Sequence, residues 1–111
     1  MEVNGNPALF DRVLHLVNAV RQRAGDSPLT ALPAGSLRNP EQTCPVAIAL
    51  NALVIVAQRR IVFCHPWYAA AAASVWRAAF QDPLLMSVAM PAPIYEFAAA
   101  FRARAFPQLL E

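Results

Sequence analysis

The chain has 111 residues, 58% of them hydrophobic and 14% charged, with a formal net charge of +2 and a pI near 8.9. That is one domain with a core of its own, and a charge balance too mild for the basic stripe of a nucleic-acid binder. Two cysteines are fewer than a disulfide-stapled scaffold carries, and the amino terminus lacks a charged start leading into an apolar run, so the expectation is a cytoplasmic, reduced protein.

The first predicted element is a helix capped by Asn6 and opened by Pro7, with Leu9, Val13, Leu16, Val17 and Val20 on one stripe. Arg21, Arg23 and Gly25 close it, cations complementing the dipole and glycine supplying the exit. From Gly25 to Asn39, turn residues interleave with Leu29, Leu32 and Leu37, a loop held on the domain by its leucines.

A second helix is expected from Cys44 to Ala52, capped by Thr43 or Asn39, with Pro45 tolerated in the first turn. Leu53 to Gln58 and Arg60 to Cys64 are rich in β-branched residues and read as a hairpin turning near Gln58 and Arg59. Periodicity alone leaves open a single helix from Cys44 through Arg60. The apolar run Val46 to Ala57 is 12 residues long and contains Asn51, against about 20 needed to cross a bilayer. It reads as core, and no membrane partner is expected.

His65-Pro66 opens a helix to about Phe80, with Tyr68, Ala72, Trp76 and Phe80 spaced four apart, stopped by Asp82-Pro83. Leu84 to Met90 reads as a third strand. Pro91 to Pro93 opens a last helix carrying Ile94, Phe97, Ala98 and Phe101 on one face, ended by Pro107. The expected fold class is α+β, a small three-stranded, mainly antiparallel sheet packed by about four helices.

Chemistry is sparse. Cys44, near the positive end of a helix dipole, is the one thiol whose pKa the local sequence would lower, but a nucleophile needs His15 or His65 as base. Cys44, Cys64, His65 and His15 lack zinc-site spacing, and no metal or other cofactor is expected. The carboxylates form no acid and base pair, and there is no phosphate loop, dinucleotide fingerprint or serine-nucleophile elbow. Arg59, Arg60, Arg77, Arg102 and Arg104 are dispersed, which makes nucleic acid an unfavoured partner.

The motifs N-P-E-Q-T-C-P-V-A-I-A-L, P-A-P-I-Y-E-F-A-A-A-F and F-P-Q-L-L, within Asn39 to Leu110, resemble a group of small uncharacterised proteins of actinobacteria and their phages. The resemblance implies the C-P-led helix, short strands and a proline-led aromatic helix, and carries no activity or functional residue. The group's acidic residue after the last motif phenylalanine is Arg102 here.

Excess apolar content without a catalytic constellation points to a non-enzymatic protein-interaction module, phage-derived on that resemblance, with a host or partner protein and a homodimer as expected assemblies. The expected contact residues are Tyr95, Arg102 and Arg104 beside the last helix's apolar stripe, with Trp67 and Arg59 as a second patch. The alternatives are a thiol-dependent enzyme or redox sensor using Cys44, and an arginine-mediated nucleic-acid binder.

Overall fold

Alternating apolar residues at 52–63 close an antiparallel hairpin, and a third short strand completes the sheet. The computed structural model describes residues 7–77 and 86–110. Its elements are α1 (Pro7–Arg23), α2 (Pro40–Thr43), α3 (Pro45–Leu50), β1 (Ala52–Ile55), β2 (Arg60–Phe63), α4 (Pro66–Trp76), β3 (Ser87–Ala89) and α5 (Ala92–Arg102), with 3-10 turns at Val56–Gln58 and Pro107–Leu109. The strand order is β1-β2-β3, all antiparallel, in an α+β arrangement.

Register decides which face is core. Ala52 pairs with Phe63 and Val54 with Ile61, and Ile61 pairs with Val88 on the other side; all five are buried. Leu53, Ile55 and Val62 point to the opposite face and stay half-buried. The inner face packs with α1, α4 and α5 residues such as Val13, Val17, Ala69, Ala72, Ile94 and Phe97 into one cluster. At its centre Phe97 meets Phe106 at 4.8 Å between ring centroids and Phe101 at 6.4 Å, and Phe106 meets Phe10 at 6.4 Å.

The hairpin excludes the single-helix alternative. Its turn contains no glycine; Arg59 takes the left-handed conformation instead, with φ 54°. The predicted second helix is two pieces, because the residue before a proline is driven out of the α region: Cys44 is extended, with φ −68° and ψ 157°, between α2 and α3. Thr43 therefore caps nothing. It ends α2, its hydroxyl donating to the carbonyls of Ser36 at 2.9 Å and Asn39 at 2.8 Å. Asn39 holds the cap position of α2 without a side-chain bond, and Ala52 belongs to β1.

Other boundaries move as well. α4 stops at Trp76, where Arg77 turns left-handed with φ 55°, short of the expected Phe80. α5 ends at Arg102 rather than at Pro107, because Arg104 is left-handed with φ 64° and Pro107 opens a separate 3-10 turn. The Asn6 cap, Phe80, the Asp82-Pro83 stop and the start of the third strand at Leu84 lie outside the described residues.

The loop after α1 is tied down by α1 itself. Asn18 donates to the Leu29 carbonyl at 2.8 Å and accepts from the Leu29 amide at 2.7 Å. Arg21 donates to the carbonyls of Ser27 and Ala49, both at 2.9 Å, so one guanidinium joins α1, the loop and the end of α3.

Candidate functional site

The expected contact residues fall in three places. Arg59, at the hairpin tip, sets its guanidinium carbon 4.2 Å from the centroid of the half-buried Tyr95 ring, a cation–π pair. Arg102 and Arg104 are exposed at the far end of α5, seven and nine residues on from Tyr95. Trp67 stands in the first turn of α4, at the base of the hairpin. Four paired residues at about 3.3 Å each put tip and base about 13 Å apart.

Cys44 is a buried thiol. It is 1% exposed and caps α3, its Sγ accepting from the Ala47 amide at 3.4 Å. Burial pushes its thiol up; the backbone N–H groups of Ala47 and Val46, and then the charge of Arg102, oppose that without reversing it. The expectation of a lowered pKa fails because removing a thiolate from water outweighs one short helix end. His15 is exposed on α1, where it lies with Asp11 along two shallow grooves.

The base of the hairpin is where polar and apolar groups converge. Asn51 is left-handed, with φ 49°, and ends α3, its N–H reaching the Ile48 carbonyl at 3.3 Å. Its own carbonyl accepts from Cys64 N–H at 3.4 Å, closing the hairpin. The Asn51 carboxamide nitrogen Nδ2 lies 2.5 Å from His65 Nε2, a side-chain hydrogen bond across the hairpin base. His65 stacks on Trp67 with centroids 5.2 Å apart and planes at 13°, and meets Tyr68 at 6.1 Å. The Tyr68 hydroxyl in turn donates to the Asp26 carboxylate.

Beside this row lies a groove of about 520 Å³ lined by Gln42, Ala47, Ile48, Asn51, Ala52, Leu53 and Cys64, none of them charged. Ile48 is 43% exposed and Trp67 58%, the two large hydrophobics left exposed among the described residues. Each is off its helix's buried stripe: α3 buries Val46, Ala47, Ala49 and Leu50, and α4 buries Tyr68, Ala69, Ala71 and Ala72. Cys64 is exposed in the groove, but no hydrogen bond joins its sulfur to His65. The extended backbone at His65, φ −117° and ψ 124°, turns neighbouring side chains to opposite sides.

Of this site the sequence reading named only Trp67 as a contact residue; Cys64 and His65 entered it only as candidates for a zinc site or a catalytic base. Ile48, Asn51, Cys64 and His65 come together through the hairpin, and no spacing motif announces them. The available signal was phase: an isoleucine and a tryptophan standing on the outward faces of otherwise well-buried helices. Compared with known proteins, the chain matches no family model, no curated protein and no solved structure at significance.

Proposed function

We propose that the chain is a non-enzymatic protein-interaction module that binds a host or partner protein through the uncharged face at the hairpin base. The carrying observation is that one of the two exposed large hydrophobics, Ile48, lines an uncharged groove, and the other, Trp67, stacks on His65, which is hydrogen-bonded to the groove residue Asn51. Tryptophan is the residue type most enriched at binding hot spots. Here its ring rests on an imidazole fixed by Asn51, so little side-chain freedom is lost when a partner covers it.

The alternatives have less support. A Cys44 thiol enzyme would need access to a sulfur that is 1% exposed. Nucleic-acid binding would need arginines gathered on one face, whereas Arg59, Arg77 and Arg102 stand at a hairpin tip and two helix ends.

The test is capture from native-host lysate on immobilised protein, with Ile48→Ser/Trp67→Ser and Tyr95→Ala/Arg102→Ala as parallel baits. A protein retained by the wild type and the second variant but lost from the first supports the face. The reverse pattern moves the contact to the tip and the end of α5, and refutes this reading. Ile48 and Trp67 are exposed, so the first variant is expected to stay within about 0.5 kcal/mol of wild-type stability.

A further inference from the structure

We infer that the partner meets this chain as an extended segment, which adds to the outer edge of β1 as a further strand once α2 is lifted aside. The inference rests on the reading of the hairpin base as a contact face, because Ala52 and Leu53 of β1 line that groove, and it names the form the partner takes there.

The register leaves one row of backbone groups over. Asn51, Leu53 and Ile55 stand at the hydrogen-bonded positions toward β2, as the Cys64 N–H bond to the Asn51 carbonyl fixes, so the amides and carbonyls of Ala52 and Val54 point away from β2. β1 is an edge strand, and among the described residues no hydrogen bond takes those groups up. Water does not replace it. Val54 is 1% exposed and Ala52 6%, so the row is shielded as well as unbonded, a state that native backbone rarely keeps.

α2 lies beside this edge without serving it. The Gln42 and Thr43 amides bond the Asn39 carbonyl, Pro40 has no amide, and no hydrogen bond joins α2 to β1 among the described residues. Its fit is incomplete as well: a recess of about 160 Å³ lies between Asn39, Glu41 and Gln42 on one side and Leu53 and Ile55 on the other. The extended backbone at Cys44 separates α2 from α3, so α2 can swing without unwinding its neighbour. Its side-chain ties are the two Thr43 hydroxyl bonds.

Amides and carbonyls that recur at every second residue along one line are complemented by another strand, whose own groups recur at the same spacing. A compact ligand would reach one residue's groups only. On the outer face an added strand would continue the half-buried row of Leu53 and Ile55 beside the exposed Ile48, which suits an uncharged segment of β-branched residues.

Disulfide tethering tests this without relying on affinity. Cys64 is exposed in the groove with Ala52 and Leu53 while Cys44 is buried, so the peptide Cys-Gly-Gly-Gly-Val-Thr-Val-Thr-Val, supplied as its pyridyl disulfide, attaches at Cys64. Amide hydrogen exchange of the full chain, followed by NMR, is the readout. The tethered peptide is expected to slow exchange at Ala52 and Val54 by about tenfold or more against a Cys-Gly-Gly-Gly tether alone. Of two versions N-methylated at alternate residues, the one methylated toward β1 should lose that effect and the other keep it. In the untethered chain Thr43→Val should speed exchange at Ala52 and Val54 several-fold and leave the ladder-bonded Leu53 and Ile61 unchanged. Exchange that ignores the peptide, or responds equally to both methylated versions, overturns the added strand. Leu53 and Ile61 speeding up in step with Ala52 and Val54 overturns α2 as a separable cover. Lysate capture that depends on Ile48 and Trp67, with these amides unmoved by the peptide, keeps the face and removes the strand.

Discussion

Gly35 is expected to be the less replaceable of the two described glycines, and Gly35→Ala measures why. A Cβ built there would lie 2.3 Å from the Thr43 carbonyl oxygen, 3.0 Å from Pro45 Cδ and 3.1 Å from Phe101 Cζ. The first distance is about 1 Å short of ordinary contact, and its partner is backbone that cannot rotate away. The loop must retreat from the junction of α2 and α3, loosening the Gly35 N–H bond to the Leu109 carbonyl at 2.6 Å and the Ser36 N–H bond to Thr43 at 3.0 Å. Two such bonds contribute about 2 kcal/mol net. Overpacking against the fully buried Phe101 adds about 1–3 kcal/mol. The reduced freedom of the unfolded alanine chain offsets about 0.4–1 kcal/mol. The net loss is about 2–4 kcal/mol, a large share of the roughly 5–15 kcal/mol that holds a domain together. Urea unfolding followed by circular dichroism and tryptophan fluorescence should show the midpoint falling by about 1–3 M at unchanged slope. Gly25→Ala is the internal control: it has open space but φ +94°, so its cost is conformational and nearer 1–2 kcal/mol. A Gly35→Ala variant within about 0.5 kcal/mol of wild type would refute the steric argument.

Phe97→Ala removes a fully buried ring from the Phe101–Phe106 cluster and should cost about 3–5 kcal/mol by the same urea measurement. Cys44→Ser should cost about 1 kcal/mol and leave partner binding intact; lost binding with unchanged folding would contradict a structural thiol. The raised Cys44 thiol also sets a pH dependence. The folded state holds the proton more tightly than the unfolded one, so that stability is complete below the ordinary thiol pKa and declines as pH rises above it. A Cys44→Ala variant should show a shallower alkaline loss, and an equal slope in both proteins would count against the burial argument. Arg59→Ala removes the cation–π contact with Tyr95 and should cost no more than about 1 kcal/mol, read from thermal midpoints.

The helices α1 and α5 and the hairpin were legible because burial imposes a period: Val13, Val17 and Val20 recur at helical spacing, and Ile61 and Phe63 alternate with half-buried neighbours. The break at Cys44 was also written in the chain, since Pro45 forbids the residue before it from staying helical. What local pattern does not carry is left-handed backbone at residues other than glycine. Asn51, Arg59, Arg77, Met86 and Arg104 all have φ between 49° and 64°, and four of them adjoin ends of elements that the sequence placed differently. The proposed contact face was hidden for another reason. Residues 48, 51 and 64 share a groove, and 51, 65 and 67 a chain of contacts, only after the hairpin closes, and a groove without charge or motif leaves no trace in one dimension.

The register of β1 has a consequence for how this protein fails. Asn51 and Leu53 direct their backbone groups at β2, so those of Ala52 and Val54 face the other way, at a lateral edge that no other strand pairs among the described residues and that has α2 and α3 packed near it. Of the two, α2 is four residues long and begins with a proline that donates no hydrogen bond. Short helices have little intrinsic stability, so α2 is expected to detach before the sheet opens. Detachment would bare Ala52-Leu53-Val54-Ile55-Val56, an uncharged β-branched template of the kind that seeds cross-strand growth. Irreversible aggregation on mild heating would then begin from an almost fully native molecule, and reinforcing α2, rather than the core, would be the route to longer shelf life.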